Sequence, residues 1–408
     1  MTKSEKLFIF FSMLAVFLVS AEYGITRPAS QSLFVTFFSA KIIPWIWLAT
    51  IPLNLSVIAL YNRYLSKIGP VKVLCAIALT TILINGISGF ISVVFPQWIL
   101  FQYAWKDIYI LLMFKQIWSL IHSTILPNKA KFLYGIIYGV GTLGSVAGSL
   151  LPGLFAVKIG SEHLYFFTMP LYLILIFVYI KAFSHSRYIP AEIKQTKETG
   201  AFSMVWNSPY LMCVLILVVL MQITVGLMEY QFNAHLESSI FQKDLRTQYV
   251  GQMMAYVNLL SGFFQLVGSF LLIQLLGVRG SHLLVPLILL INASTLLLFP
   301  SFALISFAFV FIKAVDFSFF GVVREMLYIP MKLDEKYRAK AIIDVFAYRS
   351  SKALVSVCIL SLQFFSGQSL LPWTSIAGVG VLFIWLLTVW FLLRKHYPKE
   401  ATYTQVKT

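Results

Sequence analysis

The side chains of this 408-residue sequence that could do chemistry are charged groups set inside long apolar runs. Glu22, Lys106, Asp107, Lys115, Glu229, Lys313, Asp316, Asp344, Arg349 and Lys352 all stand among hydrophobic neighbours, and Arg27 follows the first run directly. An ionisable group in an apolar helix is costly and persists where it meets a wet cavity, a ligand or an opposite charge. The lysines and arginines are suited to hold a phosphate or carboxylate, and Glu22 and Glu229 to pair with them or carry protons. Asp107 is read as the neutralising neighbour of Lys106. Lys313 and Asp316, three residues apart, share a helix face and can pair. At ~100° per residue, Arg349 and Lys352 lie about 60° apart and Asp344 about 140° from Arg349. The two basic groups therefore share a face, with Asp344 as a structural charge partner.

Other chemistries find no footing. HExxH, Walker A and GxSxG patterns are absent, and the six histidines have no metal-ligand spacing. Cys75, Cys213 and Cys358 each fall inside an apolar run and read as packing residues. Gly139-Val-Gly141-Thr-Leu-Gly144 matches a dinucleotide fingerprint, but it sits in an apolar run with no preceding strand. Gly135/Gly139 and Gly144/Gly148 read instead as small-residue pairs that let another helix approach closely. No cofactor, metal or enzymatic activity is expected.

The elements that must position the charges follow from composition. Hydrophobic residues make up 59% of the chain and charged residues 11%, with a mean hydropathy of +0.85. A soluble domain is roughly 45–50% apolar and about 25% charged. The expectation is an all-α polytopic membrane protein, with a spanning helix needing about 20 apolar residues. Twelve such runs lie at about 7–25, 43–61, 73–95, 98–121, 132–157, 163–183, 209–230, 250–276, 282–300, 303–323, 341–366 and 373–393. The first follows Lys3 and Lys6 and resembles a signal peptide, but it is long enough to be an uncleaved first span.

A net charge of +16 would suggest nucleic-acid binding in a soluble protein. Here it reads as the excess of Lys and Arg on cytoplasmic loops. Arg27, Lys41, Lys158, Lys243 and Arg246 are placed in the outer segments, and Lys106, Lys115, Lys313, Arg349 and Lys352 in the spans. The remaining basic residues fall on the side of the termini, which predicts both termini in the cytoplasm. A polar stretch near the middle divides the chain into an N-terminal six-helix half (1–183), a linker (184–208) and a C-terminal six-helix half (209–408). Such a division is that of major-facilitator-type transporters, whose halves are pseudo-symmetric. In agreement, Glu22-Tyr23 and Glu229-Tyr230, Lys106 and Lys313, Asn85 and Asn292, and Lys72 and Arg279 align at one constant offset. The first and fourth helices of each half, which line the cavity in this architecture, hold Glu22, Lys106, Asp107, Lys115, Glu229, Lys313 and Asp316. Two pseudo-symmetric pairs, Glu22–Lys106 and Glu229–Lys313, are therefore predicted.

A family resemblance lies in Glu325-Met-Leu-Tyr-Ile-Pro330, in Ala339-Lys-Ala-Ile-Ile-Asp-Val345 and in Arg349-Ser-Ser-Lys352. Ser208-Pro-Tyr-Leu211, the Glu229 segment, Arg27, the run from Ile43-Pro44 to Tyr61 and Ala130-Lys-Phe-Leu-Tyr134 add to it. With these motifs the chain resembles the bacterial and plastidic ATP/ADP translocases, as a divergent, short member of the major-facilitator-like superfamily. The resemblance implies a major-facilitator-like fold and transport of an organic anion, with nucleotide as the family substrate. The chain departs from the family in three places. Pro28–Ser32 carries no charge, Lys106 stands where the family has an acid, and Asn233 replaces a lysine.

The resulting expectation is a secondary active transporter of a small organic anion, with ATP/ADP-type nucleotide exchange as the finer form. It would sit as a monomer in the bilayer of the inner membrane and have no nucleic-acid partner. Two alternatives stand beside it: proton-coupled transport of another organic solute, such as a metabolite or siderophore, and a membrane enzyme or scaffold. Substrate-binding or coupling roles fall to Glu22, Arg27, Lys106, Lys115, Glu229, Lys313, Asp316, Arg349 and Lys352.

Overall fold

The computed structural model describes residues 2–125, 127–186, 199–328, 333–366 and 370–396. Within these, the side chains at 127–132, 199–202, 269–270, 278, 333–342, 344–346, 348–349 and 396 lie outside the description. The described chain is all helix, in the order α1 (Lys3–Phe38), α2 (43–68), α3 (70–91), α4 (Gln97–Thr124), α5 (Pro127–Ile159) and α6 (Leu164–Ser184). A short helix, Thr199–Asn207, leads to α7 (Pro209–Ser239), α8 (243–276), α9 (278–298), α10 (302–327), α11 (Leu333–Ser366) and α12 (370–396).

Local chemistry sets the breaks. Between α2 and α3 the chain turns at Gly69, with φ 80°, followed by Pro70. Between α8 and α9 it turns at Gly277, with φ 63°. Both are left-handed conformations that a Cβ disfavours. Three of the described helices contain a π turn, Phe264–Gly268 in α8, Asp316–Phe320 in α10 and Leu392–His396 in α12.

Nine stretches among the described residues are long and apolar enough to cross a membrane, and one of them, Ala40–Ile91, contains both α2 and α3. Their apolarity extends to the outside of the bundle. Phe90, Val94, Leu275 and Phe364 are exposed, as expected where lipid replaces water. The predicted spans are recovered, with corrections at three ends. Helix α1 continues to Phe38, so Arg27 lies within it and not in an outer segment. Helix α7 runs to Ser239, and α8 begins at Lys243, which places Lys243 and Arg246 in helix. Polar side chains here are buried against protein, and a hydropathy window mistakes them for a loop. Arg246, 5% exposed, donates to Ile240 O at 2.5 Å, Glu237 O at 3.0 Å and Thr36 Oγ1 at 3.0 Å.

The helices form two compact units, residues 1–192 with 236–262, and residues 193–235 with 263–408. In the first, α1 is the central element. A Cβ at Gly144 would fall 2.4 Å from Phe17 O, and one at Gly148 2.0 Å from Ala21 O. These two glycines let α5 lie against the α1 backbone. The other predicted small-residue pair behaves differently. Cβ atoms at Gly135 and Gly139 would meet nothing within 4 Å. Around α1, Val16, Val19, Tyr109, Met113, Tyr172 and Val178 belong to one buried apolar cluster.

Candidate functional site

In the first unit α1 and α4 carry the charged groups. Because α1 is longer than predicted, Glu22 stands near its middle and is 1% exposed. Four donors converge on its carboxyl. Thr26 Oγ1 donates at 2.6 Å, Tyr172 Oη at 2.8 Å, Tyr109 Oη at 2.9 Å and Asn85 Nδ2 at 3.3 Å. Asn85 also donates to Thr168 Oγ1 at 2.8 Å and accepts from Gln102 Nε2 at 3.0 Å. Each donor reaches Glu22 from α1, α3, α4 or α6, so the carboxyl ties four helices together.

The predicted Glu22–Lys106 pair is therefore corrected. Neutral hydroxyls and an amide satisfy Glu22, and the Lys106 ammonium turns to Asp107 Oδ1 at 3.0 Å. Asp107 also accepts from Tyr23 Oη at 3.4 Å. Two aromatic rings hold the cations of this cluster. Lys106 Nζ lies 3.9 Å from the centre of the Tyr103 ring, and the Arg27 guanidinium 5.9 Å from that of Tyr23. Arg27, Tyr23, Lys106 and Asp107 thus form one polar patch on α1 and α4. Lys106 is 4% exposed and the Asp107 side chain 20%. Further along α4, Lys115 donates to Asn62 Oδ1 at 3.1 Å and lies 4.8 Å from the Tyr61 ring.

In the second unit the predicted pair is present. Lys313 Nζ on α10 meets Glu229 Oε2 on α7 at 2.7 Å, with the lysine side chain 4% exposed and the glutamate 19%. Lys313 also lies 5.3 Å from the Phe309 ring, which stacks on Phe232 at 4.0 Å and 8°. Asn233 Nδ2 donates to Glu229 O at 2.7 Å, so its amide is spent on its own helix. Asp316 does not pair with Lys313. It accepts from Gln222 Nε2 at 2.9 Å, while the Lys313 ammonium goes to Glu229; a π turn begins at Asp316. Single π turns recur at functional positions. Lys352 is half-buried on α11. Asp344 and Arg349 lie outside the residues whose side chains are described.

Sequence reasoning passed over Tyr23, Tyr103, Tyr109, Tyr172 and Gln222 as functional groups. Tyr109 carried a signal, one turn from Lys106 on the same helix. Tyr172 carried none, since its phase relative to Glu22 depends on how α6 packs.

Among solved structures the chain is similar to the nucleoside transporter NupG, with a TM-score of 0.72 and 12% identity over 95% of this chain and 100% of that one. A D-xylose-proton symporter gives 0.67 and 13%, over 97% and 98%. At such identity the likeness shows the fold alone, twelve transmembrane helices in two six-helix halves of the major-facilitator kind. The ADP,ATP carrier protein 1 of Rickettsia bellii is 23% identical over 291 residues, covering 61% of this chain and 57% of that protein. Its counterpart in Chlamydia trachomatis is 23% identical over 232 residues, covering 49% and 43%. The chain thus spans about half the length of the curated relatives it matches. Residues 176–309 and 302–397 match the profile described as TLC ATP/ADP transporter, together more than half of the chain. By this match the protein belongs to the TLC ATP/ADP transporter family, a family of transporters and not of enzymes.

Proposed function

We propose that the protein is a secondary active transporter of a small organic anion, with nucleotide exchange as its specific form. The observation that carries this reading is the buried Lys313–Glu229 pair across α7 and α10. A lysine held inside a membrane span by a carboxylate is a stored cation. An incoming phosphate or carboxylate can replace the carboxylate, so the site stays compensated both empty and loaded. Arg27 and Lys106 supply the corresponding cations in the first unit, with Asp107 as the resident counter-charge. In this reading Glu229, Lys313, Lys106 and Arg27 bind or couple, Lys115, Arg349 and Lys352 are further candidates for contact with the anion, and Glu22 holds its bundle together. The proposed halves are 1–183 and 209–408, joined by 184–208. A monomer in the inner membrane with both termini cytoplasmic agrees with the distribution of Lys and Arg.

A second reading, proton-coupled uptake of another organic solute, is favoured by Asp316. It is a span carboxyl that accepts from the neutral Gln222 amide. Purified protein in liposomes separates the two. Exchange requires that uptake of labelled ADP depend on unlabelled anion inside. Symport requires that uptake follow an imposed proton gradient with empty liposomes. Failure of every nucleotide, phosphate and carboxylate tested to enter under either condition would end the anion reading.

A further inference from the structure

Four helices of the second unit enclose a small cavity, about three turns further along α10 than Lys313. Val214 of α7, His282 and Val285 of α9, Arg324 of α10 and Trp385 of α12 line it, and Leu, Val and Phe side chains complete the wall. Its volume, taken as the space open to the centre of a water, is about 10 Å³, enough for one particle of that size. The wall is braced on two sides. Phe320 meets Trp385 edge-on, with ring centres 5.5 Å apart and planes 81° from parallel. Tyr210 Oη on α7 donates at 2.6 Å to the carbonyl of Leu327, another lining residue.

His282 is the buried polar group of this cavity. It is 4% exposed, and among the described residues its Nε2 has no hydrogen-bond partner. Leaving a buried polar atom unsatisfied is costly, so one that lines a cavity points to a group that belongs there. The lining also tells what kind of group. Its polar side chains are an imidazole, a guanidinium and an indole, which bring N–H donors, and no lining side chain contains an oxygen atom. A water has two hydrogens to place, and the imidazole nitrogen is the one side-chain acceptor such a wall can offer. An anion asks for donors alone. Arg324 adds a full positive charge, and its guanidinium also reaches Glu325 Oε1 at 4.0 Å.

We propose that this cavity is a binding site for a monatomic anion, a halide of chloride size, held between His282 Nε2 and the Arg324 guanidinium. His282 carries its proton on Nε2 and donates it to the ion. The guanidinium compensates the charge, and the Val and Leu side chains exclude water from it. The ion ties α9 to α10 inside the second unit. A phosphate or a carboxylate with its carbon skeleton is larger than the cavity, so the site is separate from the one proposed for substrate. It stands or falls without the transporter reading.

Thermal unfolding of the purified full chain in detergent tests it, with gluconate replaced stepwise by chloride or bromide at constant ionic strength. Gluconate is too large to enter. The melting temperature should rise and then saturate. At a halide concentration ten times Kd, the folding equilibrium should shift about tenfold toward the native state. His282→Leu and Arg324→Gln should each lose most of this halide-dependent rise, whatever they do to the melting temperature in gluconate. Arg324→Lys, which keeps the charge, should retain part of it. The Arg324 side chain is 25% exposed, so its variant remains informative if His282→Leu does not fold. Crystals grown in bromide should show an anomalous peak between His282 Nε2 and the Arg324 guanidinium. The absence of any halide-dependent rise overturns the site, as does a rise kept in full by either His282→Leu or Arg324→Gln. A cavity that holds a water and no bromide overturns it as well.

Discussion

Glu22 and Glu229 occupy matching positions of the internal repeat, each followed by a tyrosine, and the two units treat them differently. In the first unit the carboxyl is sealed in the core and met by Thr26, Asn85, Tyr109 and Tyr172. In the second it keeps partial access and is met by Lys313. Neutral donors drawn from four helices fix a carboxyl in place, because no single movement can satisfy it again elsewhere. An ammonium partner can leave the carboxyl exchangeable, since another anion can take the lysine. One repeat position is thus a structural tie, and the other, in the proposed function, the site of traffic. The lysine freed from Glu22 has been re-paired with its own neighbour, Asp107.

The largest effect should come from removing the tie. Glu22→Leu leaves the hydroxyls of Tyr109 and Tyr172 and the amide of Asn85 buried without their acceptor. Each stranded donor costs about 1–3 kcal/mol, enough together to unfold a marginally stable bundle. The yield of monodisperse protein in mild detergent should collapse. Glu22→Gln, which still accepts through its carbonyl oxygen, should fall between the two. A Glu22→Leu variant that elutes and melts like the wild type would break the comparison.

Next comes Lys313→Ala. Breaking a buried pair from one side costs about 3–5 kcal/mol, and the partial access of Glu229 places the effect at the lower end. Transport should be lost in the protein that still folds. Exchanging the pair, Glu229→Lys with Lys313→Glu, should recover part of the melting temperature and none of the transport. Normal transport by Lys313→Ala would remove Lys313 from the path altogether.

This contrast marks how far the sequence could be read. Helices, their number and the Lys313–Glu229 pair followed from apolar runs and from the rarity of charge within them. The Gly69-Pro70 break was visible as a pair of residues that end helices. The extension of α1 was not, because Thr26, Ser30, Gln31 and Ser32 are polar and buried, and hydropathy registers polarity without knowing what covers it. The cage around Glu22 was also illegible. Its members come from α1, α3, α4 and α6, and the relative rotation of these helices is set by contacts such as Gly144 and Gly148 on the α1 backbone. The partner of Asp316 was illegible for the same kind of reason, since Gln222 comes from another helix.

Lys106→Ala abandons a carboxylate about as covered as Glu229, 20% against 19% exposed. Its cost in stability should therefore also lie at the lower end of about 3–5 kcal/mol, reduced by one remaining donor. Tyr23 continues to donate to that carboxylate. A cost should also appear in function. Loss of one charge-assisted hydrogen bond to an anionic substrate is about 1.5–3 kcal/mol, so KM in liposome uptake should rise about 10- to 100-fold. A variant with unchanged KM would confine Lys106 to a structural role, as the counterpart of Glu22.

The smallest effect, and the one that most sharpens the comparison, is expected of Asp107→Asn. The asparagine carbonyl still accepts from Tyr23 and from Lys106, so both contacts of the patch survive, and stability should fall by less than in Lys106→Ala. What disappears is the competing negative charge. If Asp107 is the resident counter-ion that substrate must displace, then neutralising it lowers the work of displacement. KM for the anion should fall about two- to fivefold, a shift of less than ~1 kcal/mol that suits a screened, partly exposed charge. Turnover should fall with it, because the empty carrier has lost the group that compensates Lys106 on its return. The same neutralisation in the second unit, Glu229→Gln, should move KM in the same direction by a similar factor, since the two pairs are about equally covered. Initial rates of labelled-anion uptake at several concentrations measure both variants. A rise in KM for Asp107→Asn would mean that the carboxylate orients Lys106 toward substrate and does not compete with it. The two units would then use their lysines by different rules.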